Sequence, residues 1–111
     1  MHNINSKQLA AAPEGVVLVD IRQPNEWRET GVIGGSHLLT FSGDNIDDWL
    51  AELEKLATPQ DDLVLVCRSG RRTGILLEFL HERTDYRRSR HLTDGILGWL
   101  GNGLPVETFD G

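Results

Sequence analysis

The stretch Val64–Leu80, VLVCRSGRRTGILLEFL, decides how the rest of the chain is read. It opens on aliphatic residues, passes through a polar loop and closes on apolar residues at helical spacing. Leu63 to Val66 reads as a short buried strand. From about Arg72 to Arg83 a helix is expected, with Ile75, Leu76, Phe79 and Leu80 turned inward. Between strand and helix lie Cys67, the single cysteine of the chain, and three arginines, Arg68, Arg71 and Arg72. A strand that runs through a tight loop into a helix makes an anion cradle. The first N–H groups of the helix have no partner within it, and its dipole is positive there. Gly70 supplies backbone freedom for the loop, and Ser69 and Thr73 add hydroxyl donors.

A thiol in such a cradle is expected to ionise. Helix starts and neighbouring cations favour the thiolate, and a guanidinium a few ångströms away acts in the same direction by Coulomb attraction. On this reading Cys67 needs no histidine base. In an inert core the same arginines would be costly to bury.

The flanking sequence places this loop in an alternating pattern. Ser6 is expected to cap a short helix through Ala11, which Pro13 ends. Val16 to Val19 is a second buried-strand candidate, ending at Asp20. Pro24 suits the first turn of a helix that Gly31 can stop. Ser36 to Thr40 reads as a short strand. Asp44 is expected to cap a helix with Ile46, Trp49, Leu50, Leu53 and Leu56 on one face, ended by Thr58 and Pro59. Ser89 to Leu92 is a weak strand, and Thr93 or Asp94 can cap a last helix through Leu100. Strands alternating with helices predict an α/β domain with a mainly parallel central sheet flanked by helices on both faces. Ligands in such sheets bind beyond the carboxyl ends of the strands, where Cys67 lies.

The whole chain narrows the function further. Its 111 residues suit one domain. Met1 to Lys7 lacks the apolar run of a signal peptide, and no stretch reaches the ~18 apolar residues of a membrane span. A soluble, cytoplasmic protein is expected, with no membrane partner. One cysteine excludes an internal disulfide and a cysteine-pair metal site. His2, His37, His81 and His91 show no ligand spacing, so no metal or cofactor is expected. Net charge is −6, yet seven arginines crowd between Arg68 and Arg90. A local basic focus on an acidic chain suits a small anion, not nucleic acid. Arg83 to Arg90 and the acidic residues between Asp44 and Asp62 read as solvated helix surfaces.

These residues resemble a single-domain rhodanese, a thiosulfate sulfurtransferase. Cys67-Arg68-Ser69-Gly70-Arg71-Arg72-Thr73 is similar to that family's six-residue active-site loop running into its helix. Asp20-Ile21-Arg22 with Glu26-Trp27 resembles its early Asp-x-Arg and Glu-aromatic pairs, and Gly31 to Ser36 its Gly-His-Ile-Pro-Gly-Ala stretch. Leu92 to Ile96, Trp99 and Gly103 to Val106 resemble its closing Gly-Gly, Trp and Gly-x-Pro. The likeness spans about residues 6–107. Val32, Leu38, Thr40 and Asp94 depart from the family's usual residues. Asp94 stands for the first of two glycines, where it can bring charge to the site or cap the last helix.

The resemblance implies catalysis by Cys67, with Arg68, Ser69, Gly70, Arg71, Arg72 and Thr73 binding substrate. The thiolate attacks the outer sulfur of thiosulfate or a related small anionic donor, and sulfite leaves. The persulfide then passes its sulfur to a thiol, to a protein acceptor, or to cyanide in an assay. Asp20, Arg22 and Glu26 are expected to form a structural polar network, Trp49 and Trp99 to face the core, and His37 to be framework. Two alternatives stand beside this reading. One is a rhodanese-like module that binds a partner without chemistry. The other is a cysteine-dependent phosphatase or arsenate reductase, which wants arginine at position 73, where Thr73 stands.

Overall fold

The computed structural model describes residues 3–111; His2 and the reading of the first two residues lie outside the described residues. In chain order the elements are α1 (Ser6–Ala11), β1 (Val16–Asp20), α2 (Pro24–Thr30), β2 (His37–Leu38), α3 (Ile46–Leu56), β3 (Asp62–Val66), α4 (Arg71–Arg83), β4 (Arg90–His91) and α5 (Gly95–Gly101). The four strands form one parallel sheet in the order β2-β1-β3-β4. This is the α/β architecture that the alternation of strand and helix signals predicts. No helix among the described residues is long and apolar enough to cross a membrane.

The period-2 alternation of the two central strands builds two cores. Val17, Val19, Leu63 and Leu65 face a cluster with Trp49 and Leu53 of α3 and Leu76, Leu77 and Leu80 of α4. Leu18, Val64 and Val66 face the other way, onto Leu9 of α1 and Ile96 and Trp99 of α5. Both faces of the sheet are covered, so its strands carry continuous apolar runs. Trp49 and Trp99 both bury, as expected, and their indole N–H groups donate to Leu39 O at 2.9 Å and Pro105 O at 2.8 Å.

Chain order decides where the site lies. From β1 the chain moves outward to β2, then crosses back to add β3 on the other side of β1. The connections leaving the carboxyl ends of β1 and β3 therefore diverge, and it is at such a point that sheets of this kind bind their ligands. Asp20, Ile21 and Arg22 lie at that end of β1 and Cys67 at that end of β3, all of them buried.

Several local expectations are corrected. Asn5, not Ser6, caps α1, through a reciprocal pair: Gln8 N–H donates to Asn5 Oδ1 and Asn5 N–H to Gln8 Oε1, both at 2.9 Å. Ser6 is released to donate from N–H and Oγ to Asp94 Oδ1, at 3.1 and 2.9 Å. Asp94 thus stands at the cap position of α5, but its carboxylate joins α1 to α5 instead of capping. Asn45 precedes α3, and Asp44 only accepts from the Ser42 hydroxyl. The outer strands are shorter than expected, two residues each, because only those residues reach pairing register. Ile75 is 66% exposed, and Thr73 and Leu77 take the inward positions. Arg90 is not a solvated surface charge: it makes a two-point pair with Asp62 at 2.7 and 3.0 Å.

A buried ion pair fixes the carboxyl end of β1. Arg22 and Asp20 are both about 1% exposed, and Arg22 Nε and Nη2 donate to the Asp20 carboxylate at 3.0 and 2.8 Å. The remaining guanidinium hydrogens reach Thr30 Oγ1 at 2.8 Å and Gly31 O at 3.0 Å, so α2 and its C-terminal turn hang on this one side chain. Removing one partner strands the other charge in a dry site. Asp20→Ala is expected to lower unfolding stability by about 3–5 kcal/mol, read as a drop in urea midpoint with unchanged slope.

Candidate active site

Cys67 follows the last residue of β3, and the alternation of that strand aims it at the α3/α4 face of the sheet. The loop behind it is held from one side by the first turn of α5. Ile96 N–H donates to Cys67 O at 2.9 Å, and Leu97 N–H to Arg68 O at 3.1 Å. These α5 donors have no partner within their own helix, and the loop supplies one. Gly70 N–H points the other way, to Cys67 Sγ at 3.2 Å.

Two glycines make this approach possible. Gly70 has φ +91°, and a Cβ there would sit 2.2 Å from Thr93 O. Gly95 has φ +61°, and a Cβ there would sit 2.2 Å from Arg68 O. Any side chain at either position would push the loop off the 92–95 turn. The role expected for Gly70 thus has a geometric cause.

The sulfur is enclosed, with 0% of Cys67 exposed, yet its immediate contacts include polar groups. Besides Gly70 N–H, Thr73 Oγ1 lies at 3.4 Å. Thr73, in the first turn of α4, is itself fully buried and lies 2.8 Å from His91 Nδ1. His91 escaped sequence reading. Its strand is two residues long, and only the pairing of Leu65 with His91 brings the ring to α4. Burial lowers its pKa from 6.5, so near neutrality the ring is uncharged. His37, by contrast, is exposed on β2.

The three loop arginines do not act alike. Arg72 is drawn away to α2, where it donates to both Glu26 oxygens at 2.8 and 2.9 Å. That hydrogen-bonded pair holds the Glu26 carboxyl below its usual range and raises Arg72. A two-point carboxylate matches a guanidinium better than a distant sulfur does. Arg68, Ser69 and Arg71 lie exposed at the loop surface, and among the described residues neither of these arginines has an ion-pair partner. Of the expected network, the Asp20–Arg22 part is present; Glu26 joins it only through its backbone O, 3.4 Å from Arg22 Nη1, because its carboxylate is taken by Arg72. Arg22 is enclosed and fully paired, so it does not face incoming anions.

Residues 5–102 match the family described as the rhodanese-like domain. The chain belongs to that family. Solved structures similar to this rhodanese-like chain include a rhodanese-related protein from Thermoplasma volcanium, 24% identical, covering 95% of this chain and 96% of that one, with TM-score 0.74. A thiosulfate sulfurtransferase from Pseudomonas aeruginosa is 22% identical with TM-score 0.74; the match covers 96% of this chain but only 20% of that one. A protein of unknown function and possible tyrosine phosphatase from Rhodopseudomonas palustris is 23% identical, covering 96% and 85%, with TM-score 0.76. At these identities the likeness concerns the fold. No curated protein is similar enough to be paired with the chain.

Gly70→Ala is expected to cost about 1–3 kcal/mol by overpacking and strain, with the amide signals of residues 92–95 shifting in NMR spectra. Acid should weaken the fold in two stages. His91 has a folded pKa below 6.5, so the unfolded chain takes up its proton first and stability falls as pH drops below 6.5. Glu26 is also lowered in the fold, so its contribution is present above about 4.5 and is lost as pH falls through its folded value. Urea midpoints measured against pH should show both stages, and His91→Asn should remove the first.

Proposed function

We propose that this rhodanese-like protein is a sulfurtransferase that moves the outer sulfur of thiosulfate, or a related small anionic donor, to a thiophilic acceptor through a Cys67 persulfide. One observation carries the reading: the Gly70 N–H lies 3.2 Å from Cys67 Sγ at the carboxyl end of a central strand. A donor aimed at sulfur stabilises its anion. An inert core thiol has no use for a glycine loop held this way.

In the first half-reaction the Cys67 sulfur anion attacks the outer sulfur of thiosulfate. The new S–S bond forms as the old one breaks, and sulfite leaves with the electron pair. Arg68 and Arg71, exposed on the loop, meet the donor's charge. Arg72 acts at one remove, by tying α4 to α2 through Glu26. In the second half-reaction a thiol or cyanide takes the outer sulfur and returns the anion of Cys67. Because Cys67 is enclosed, the loop must part to admit the donor. The exposed positions of Arg68 and Arg71 suit a loop that meets the anion before it opens.

The enclosure of Cys67 also favours a second reading, a rhodanese-like module that binds a protein partner without chemistry. A phosphatase reading draws less support: Thr73 occupies the position that needs arginine, and its hydroxyl is engaged with His91.

Incubation with thiosulfate followed by intact-mass measurement is expected to add one sulfur atom to the wild type and none to Cys67→Ser. With cyanide present, the wild type should release thiocyanate, and Cys67→Ser should not. Equal thiocyanate from the two would end the catalytic reading in favour of the binding module. Arg71→Ala should weaken donor binding by about twofold to fivefold, the scale of one exposed charge contact, as a rise in KM with kcat little changed.

A further inference from the structure

Thr73 has one hydroxyl proton and three acceptors within reach. His91 Nδ1 lies at 2.8 Å, Gly70 O at 3.3 Å and Cys67 Sγ at 3.4 Å. The shortest contact takes the proton unless that nitrogen carries one of its own. If Nδ1 is bare, Thr73 donates to the ring and turns a lone pair toward the sulfur. That arrangement suits a thiol S–H and repels a sulfur anion. If Nδ1 carries the proton, the ring donates to Thr73 Oγ1, and the hydroxyl proton is left between Gly70 O and Cys67 Sγ at nearly equal distance, where a charge on sulfur draws it to the sulfur.

We propose that His91 is a positioning residue for Cys67: by donating from Nδ1 to Thr73, it makes Thr73 donate to the sulfur anion. The inference rests on the reading of Cys67 as a reactive anion and names the residue that supports it. The step balances. The S–H bond breaks with its electron pair left on sulfur, and that proton joins Thr73 Oγ1. The proton Thr73 held moves to Nδ1. A ring that already carries hydrogen on Nε2 then loses it to water and is neutral again as the other tautomer. The net result is one thiol proton delivered to solvent, with no charge left in the core beyond the sulfur.

The surroundings of His91 suit this exchange. Thr73 and Gly74 face the ring from α4, Leu65 is its register partner on β3, and Asn3 Oδ1 accepts from its backbone N–H. None of these carries a charge. The titratable group reached through Thr73 is Cys67 itself. Burial disfavours the imidazolium, so near neutrality the ring has one proton to place on either nitrogen.

The chain has one cysteine, so ultraviolet thiolate absorbance reports Cys67 directly. Tyr86, the single tyrosine, has its pKa raised by burial and ionises well clear of that signal. Thr73→Val and His91→Phe are each expected to lower the thiolate-to-thiol ratio at a given pH by about threefold to tenfold, the worth of one hydrogen bond, read as an upward move of the titration midpoint. Thr73→Ser should restore it, and the double variant should fall no further than either single, because the two act in series. An unchanged titration in folded His91→Phe, or additive losses, would overturn the proposal. Should the substitutions prevent folding, imidazole nitrogen shifts of the wild type decide. Nδ1 should gain its proton as the thiolate appears, and a ring that stays protonated on Nε2 alone throughout would refute it. Neither measurement uses a sulfur donor. Failure to turn over thiosulfate therefore leaves them standing, and their failure leaves the mass experiment untouched.

Discussion

The site depends on a backbone-to-backbone approach. The Cys67–Arg72 loop lies against the 92–95 turn at Gly70 and Gly95, each placed where a Cβ would strike a carbonyl of the other segment. That closeness lets α5 take the Cys67 and Arg68 carbonyls through Ile96 and Leu97 N–H. With the carbonyls held on that side, Gly70 N–H faces the sulfur. The same contact joins the catalytic candidate to the turn after β4, and β4 carries His91. Loop, sulfur and histidine are therefore one mechanical unit, although 24 positions separate Cys67 from His91 in the chain.

Charge in this protein is organised by pairing. Arg22 is enclosed with Asp20, Arg90 is pinned to Asp62, and Arg72 is taken by Glu26. Each guanidinium meets a carboxylate in a two-point geometry that a flexible ammonium could not match. Two of these pairs frame the loop of Cys67. Asp20–Arg22 fixes the carboxyl end of β1, and Glu26–Arg72 ties α2 to the start of α4. Arg68 and Arg71 stay exposed at the loop surface without an ion-pair partner among the described residues, while the contacts of the sulfur inside are with neutral groups. The division makes sense physically. A fixed cation beside an enclosed thiol would itself need desolvating, whereas an amide or hydroxyl costs far less to bury.

Rhodanese-like relatives share this fold at low identity, so the fold is specified by pattern more than by particular residues. Leu63 to Val66 and Val16 to Val19 carry that pattern here. Their uninterrupted apolar runs fit only strands covered on both faces, and helices between parallel strands supply the cover. The outer strands carry almost no pattern of their own. They exist because the central pair offers them an edge, which explains why they are shorter than their local propensity suggests.

The sequence by itself determined the α/β alternation, the buried central strands, the loop that presents Cys67, the need for glycine at position 70 and the network around Arg22. Each of these rests on short-range chemistry: side-chain period, turn conformation, or charges two to six residues apart. Tertiary structure alone decided the partners across long separations. Arg72 could not be assigned to Glu26 before α2 and α4 were placed side by side. Asp94 reads as a cap until Ser6 arrives from the far end of the chain with two donors for its carboxylate. His91 looked idle for the same reason. Its ring meets Thr73 only because parallel pairing sets it beside Leu65, and no local pattern encodes which strand a two-residue segment will join.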